Sequence, residues 1–273
     1  MNTASAEALL ETSLKTFSGF IGEPVMIETM LLSRQDIKDR RTQIFHELEA
    51  VYEPFAESTL GETITGSKGS VILLYPFNMV SEQEFIHVLF HECGHWHFRE
   101  VNPELIRKQQ TSGALSRTVQ LGFTLFDEFI AETLANFATP EAPLDNEESK
   151  RKELVHVLYQ ALPGINPERT EQAYQEKAAM RSGYYVLPTG LGMYCAMILT
   201  DPTLISLASK NPKFDRGFGP INGSVMSDVQ DIIMTLVEYI NEYGDSVEVD
   251  EELLIKIGSL VENIWDVRSK QRV

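Results

Sequence analysis

Five consecutive residues, His91-Glu92-Cys93-Gly94-His95, constrain this chain more than any other feature. The pattern is H-E-x-x-H. Residues four apart lie on one face of an α-helix, a little over one turn from each other. If the segment is helical, its two imidazoles project side by side and can grip one metal ion, and Glu92 stands near the remaining coordination position. The chain has only six histidines among 273 residues, so a chance match from composition is on the order of one per cent. The surroundings also call for a helix. Ser81 is a candidate N-cap, and Glu84 three residues on completes an S-x-x-E capping box. Phe85, Val88, Leu89 and Trp96 then place apolar groups at helical spacing.

Two histidines do not complete a catalytic zinc site, which usually has three protein ligands and one open position. The extension H-E-x-x-H-x-x-G-x-x-H is absent, because positions 98 and 101 hold Phe98 and Val101. A better source of a third ligand is Asp127-Glu128-Phe129-Ile130-Ala131-Glu132. Its flanks, Phe123, Phe126, Ile130, Leu134 and Phe137, recur at helical spacing, and Pro140 marks the end of that helix. Glu128 and Glu132 share a face within an otherwise apolar stretch, 121–138. A carboxylate in such surroundings is costly to bury unless it meets a cation or metal. Asp127 is a further contender, about 100° round the helix from Glu128.

H-E-x-x-H followed by a second helix carrying E-x-x-x-(D/E) resembles the gluzincin branch of the zincin metallopeptidases. The resemblance rests on residues 91–95 and 128–132. It implies a Zn2+ cofactor with His91, His95 and Glu128 as ligands. Glu92 would be the general base, taking a proton from a zinc-activated water and passing it to the leaving amine. Glu132 would be the second carboxylate, which holds a zinc-binding histidine through its other ring nitrogen. The family often has aspartate where this chain has Glu132, so the roles of Glu128 and Glu132 can be exchanged. In the family an edge strand beside the metal helix binds extended substrate. Here 62–65 and 70–75 read as strands joined by Gly66-Ser67-Lys68-Gly69, so either 62–66 or 70–75 is expected beside the cleft, a plain structural hairpin being the alternative.

Other chemistry-bearing residues have two readings each. Tyr184, Tyr185 and His156 are candidate oxyanion donors or packing residues. His87, one turn before His91, either lines the cleft or is a partly buried helix histidine. His97 lies about 200° round the helix from His95, and Cys93 about 200° from His91, so both should point away from the metal. Cys93 and Cys195 read as small buried thiols, with no disulfide framework.

The chain is 43% apolar, enough for a core. Residues 1–7 show no basic region followed by an apolar run, so no secretory signal is read. The longest apolar candidate, 184–199, is broken by Pro188, Gly190 and Gly192. A cytoplasmic protein without a membrane span is expected. The net charge of -17 opposes nucleic-acid binding and favours basic substrates. The partner that the metallopeptidase resemblance implies is a peptide or protein substrate.

Along the chain, helices are expected near 5–16, 35–52, 150–161, 167–181, 190–199, 227–243 and 251–269. A strand is expected at 24–31, and loop character at 210–223. The predicted fold is α+β, a small mainly antiparallel sheet with the metal helix, followed by a largely helical C-terminal half. Three regions are expected: a zincin-like metal-binding region, 1–139; a linker, 140–149 (PEAPLDNEE lies within it); and a helical region, 150–273, walling the cleft, either separate or continuous with the first. The function these features imply is zinc-dependent peptide-bond hydrolysis. The alternatives are a zincin-fold binding or regulatory protein with little activity, and a zinc hydrolase of a non-peptide amide or ester.

Overall fold

The computed structural model describes residues 3–52, 55–111, 115–139, 186–200, 223–243 and 247–270. In chain order the elements are α1 (Thr3–Ile21), β1 (Glu28–Leu31), a π-helical turn (Ile37–Arg41) leading into α2 (Thr42–Leu48), β2 (Gly61–Gly66), β3 (Gly69–Leu74), a 3-10 turn (Pro76–Asn78), α3 (Glu82–Val101), α4 (Pro103–Gln110), α5 (Arg117–Ala138), α6 (Val186–Thr200), α7 (Gly223–Tyr243) and α8 (Glu251–Lys270). The fold is α+β, with a three-stranded sheet near the N-terminus and a largely helical remainder. Contacts divide these elements into two compact units. The first holds α1 to α4, the three strands and the last turn of α5, and the second holds the rest of α5 with α6, α7 and α8.

In the first unit the strand order is β1-β3-β2. β2 pairs antiparallel with β3, but β1 pairs parallel with it, so the sheet is mixed rather than mainly antiparallel. The physical reason is the connection. A two-residue turn forces the hairpin partners to run antiparallel, whereas the long path from β1 through α2 and β2 leaves room for a parallel crossover. The hairpin turn is Ser67-Lys68, followed by Gly69 at φ 125°, a backbone region that side chains rarely tolerate.

β3 is the central strand, and its run Val71-Ile72-Leu73-Leu74 is buried on both faces. Val71 and Leu73 join Ile44, Phe45 and Leu48 on one side, while Ile72 and Leu74 join Phe17, Phe85 and Leu89 on the other. That split follows from the period-two alternation of a strand. β2 alternates in the same way. Ile64 joins the α2 side, where Glu62 is gripped by Arg41, Nε at 2.6 Å and Nη2 at 2.7 Å. The Tyr75 hydroxyl also donates to Glu62, and the guanidinium of Arg41 lies 4.6 Å over the Phe45 ring. Burial pulls the Arg41 pKa down, but the bond to Glu62 and its charge outweigh that and raise it overall.

α3 starts as its sequence requires. Ser81 Oγ accepts from the Glu84 amide at 3.0 Å. The Glu84 carboxylate reaches one residue further back than a standard capping box, accepting from the Val80 amide at 2.6 Å. α1 runs past its expected end to Ile21. The expected 35–52 helix is shorter and divided, a π turn followed by α2, and Glu49 at φ 54° stops it.

In the second unit α5 and α8 touch backbone to backbone. A Cβ at Gly258 would lie 1.8 Å from Thr118 O, and one at Gly122 would lie 2.0 Å from Leu254 O. Only glycine permits that approach. Thr118 Oγ1 adds a 2.9 Å bond to Glu262, and Phe126 of α5 packs edge-on against Tyr239 of α7 at 5.0 Å. The expected helices at 190–199, 227–243 and 251–269 correspond to α6, α7 and α8. The expectations for 140–149, 150–161, 167–181 and most of 210–223 fall outside the described residues. Among the described residues no helix is long and apolar enough to cross a membrane.

Candidate metal centre

Capped at Ser81, α3 is continuous through residues 91–95, so His91 and His95 stand one turn apart on the same face. Their Nε2 atoms are 3.1 Å apart, with ring planes at 87°. Either one ring donates to the other, or both lone pairs converge on a shared cation. With zinc–nitrogen bonds of 2.0–2.1 Å, two ligand nitrogens on a tetrahedral ion sit about 3.3 Å apart. The observed pair is close to that spacing.

Glu128 of α5 completes the group. One ligand atom from each of His91, His95 and Glu128 lies within 4.8 Å of the others. Two imidazoles and a carboxylate form a donor set that suits a divalent transition-metal ion, zinc and iron(II) included. Asp127 and Glu132 do not belong to this group. Asp127 is buried, and Glu132 sits half-buried one turn further along α5.

Gly192 determines how α6 meets α5 at Glu128. A Cβ there would lie 2.5 Å from Leu125 O and 2.9 Å from the Glu128 Cβ. From spacing alone Gly192 is only a break in an apolar run. A glycine inside an apolar helix is itself the signal of a close backbone approach.

Glu92 is 7% exposed. Its Oε2 accepts a hydrogen bond from Thr63 Oγ1 at 2.8 Å, and the same hydroxyl lies 2.9 Å from the Glu92 carbonyl oxygen. A Cβ at Gly61 would come within 2.7 Å of Val88 Cγ1 and 3.0 Å of Glu92 Cγ, so β2 is pressed against α3 at this residue. Neither Thr63 nor Gly61 was singled out from sequence. Alternation places both on one face of the strand, but not which element that face meets.

Of the two segments expected beside the cleft, 70–75 belongs to the central strand, and β2 is an edge among the described residues. Tyr75 N donates to Leu60 O. The antiparallel pattern then turns the backbone groups of Gly61, Thr63 and Thr65 away from β3. Arg99 Nη1 already takes the Thr63 carbonyl at 3.1 Å.

The remaining histidines and cysteines divide cleanly. His87 Nδ1 lies 2.9 Å from Thr139 Oγ1, and the same hydroxyl lies 2.9 Å from Ala135 O, so either the imidazole or the hydroxyl can donate in the His87–Thr139 pair. His97 faces Glu23 at 3.5 Å, with its pKa lowered by burial against the pull of Glu23. Cys93 and Cys195 are free and buried. Burial, and after it the charge of Glu92, pushes the Cys93 thiol well above the usual range, and burial alone does so for Cys195. Tyr184, Tyr185 and His156 lie outside the described residues.

No protein-family model, no curated protein and no solved structure matches the chain.

Proposed function

We propose that the chain is a zinc-dependent peptidase of the gluzincin type. The observation that carries this reading is the grouping of His91, His95 and Glu128, with the buried carboxylate of Glu92 between the two histidines in sequence. His91, His95 and Glu128 would hold the ion, and Glu132 would orient a ligating imidazole. Bound zinc supplies a Lewis acid, which polarises a carbonyl and lowers the pKa of a water from 15.7 to about 7. Glu92 takes the proton from the attacking water and hands it to the leaving amine nitrogen. The outer edge of β2 would align an extended peptide through the backbone groups of Gly61 and the Thr63 amide. The charge of -17 favours basic peptides.

The test is elemental analysis of zinc-reconstituted wild type, Glu128→Ala and Glu132→Ala, together with cleavage of a quenched-fluorescence peptide library. One zinc per chain in wild type, its loss in Glu128→Ala and its weakened retention in Glu132→Ala are expected. The reverse order would exchange the roles of the two glutamates. Zinc bound without cleavage of any peptide would sink the peptidase reading and favour a binding role or a non-peptide substrate.

A further inference from the structure

We propose that Thr63 is a positioning residue for the Glu92 carboxylate, fixing Oε2 and leaving Oε1 as the oxygen that takes the proton. The inference rests on the peptidase reading above and adds to it a group outside the metal-binding motifs.

Thr63 Oγ1 has one proton and two acceptors in reach, Glu92 Oε2 at 2.8 Å and the Glu92 carbonyl oxygen at 2.9 Å. Inside a helix that carbonyl already accepts an amide four residues on, and an ionised carboxylate is the stronger acceptor. The proton therefore goes to Oε2. Among the described residues Oε1 accepts no hydrogen bond. The two oxygens are thus inequivalent before any substrate arrives.

Thr63 is itself held on several sides. It is paired with Ile72 in the ladder, and its carbonyl is bound by Arg99 at 3.1 Å. The preceding residue, Glu62, is clamped by Arg41 with two bonds of 2.6 and 2.7 Å. Gly61 brings the strand against the Glu92 side chain. A donor fixed in this way presets the direction of the base, and misplacement by 1 Å is enough to cost a large rate factor.

The decisive comparison is Thr63→Val against Thr63→Ser. Valine keeps the branched shape and strand preference and removes only the donor, while serine keeps the donor. Each variant is reconstituted with zinc and assayed on the peptide that wild type cleaves fastest from the library. Thr63→Val should bind zinc with unchanged stoichiometry and lose about 10- to 100-fold in kcat with KM within about twofold. Thr63→Ser should recover most of that loss. A second readout needs no metal. In metal-free, 13C-glutamate-labelled protein the Glu92 carboxyl resonance, assigned by its absence in Glu92→Gln, should move in Thr63→Val and stay in place in Thr63→Ser.

Wild-type kcat in Thr63→Val, a change in KM alone, serine no better than valine, or an unmoved carboxyl resonance would each overturn the proposal. A wild type that cleaves nothing overturns the peptidase reading instead, and the metal-free resonance still decides whether Thr63 anchors Glu92.

Discussion

Glu92 carries a carboxylate at 7% exposure with, among the described residues, a single hydroxyl bonded to one of its oxygens. A buried carboxylate with so few donors is expensive unless a cation lies nearby. The adjacent pair of imidazoles, 3.1 Å apart, is the obvious place for one. Replacing Glu92 by glutamine removes the charge and the basicity and keeps the shape. We expect Glu92→Gln to retain one zinc per chain by elemental analysis and to lose about 10²- to 10⁴-fold in peptide cleavage. Activity close to wild type would remove Glu92 from the chemistry. The orientations of Cys93 and His97 were legible at this scale, since helical angle alone turns Cys93 away from His91 and His97 away from His95. The structure has Cys93 in the core and His97 against Glu23.

Elements bring these residues together through backbone proximity. Gly61 and Gly192 are the two points where side-chain-free backbone lets a neighbouring element press against Glu92 and Glu128 respectively. A methyl group at Gly192 would sit 2.5 Å from a backbone oxygen, which cannot rotate out of the way. Gly192→Ala should therefore cost about 1–3 kcal/mol in chemical denaturation and weaken zinc binding by displacing Glu128. An unchanged denaturation midpoint would mean that α6 shifts at no cost. The periodicities of 82–101 and 117–138 were readable because each has an apolar stripe and a boundary signal, Ser81 for one and Pro140 for the other. The parallel pairing of β1 and the π turn before α2 were not, because neither leaves a local pattern: the first depends on a partner 43 positions away at Glu28↔Val71, the second on where α2 must start.

For the whole molecule, a ligand that binds the native chain and not the unfolded one raises stability by mass action. Zinc at a thousandfold excess over Kd should add about 4 kcal/mol, read as a higher Tm in wild type and no shift in His95→Ala. An equal shift in both would place the zinc elsewhere. Spacing within one short segment was enough to set the H-E-x-x-H helix, the second acidic helix and the hairpin, and with them the α+β class. Packing between elements chose which of Asp127, Glu128 and Glu132 groups with the histidines, put β3 at the centre of the sheet, and brought Thr63 to Glu92. Those choices depend on which faces of separate elements come together, and the periodicity of one element carries no information about its neighbour.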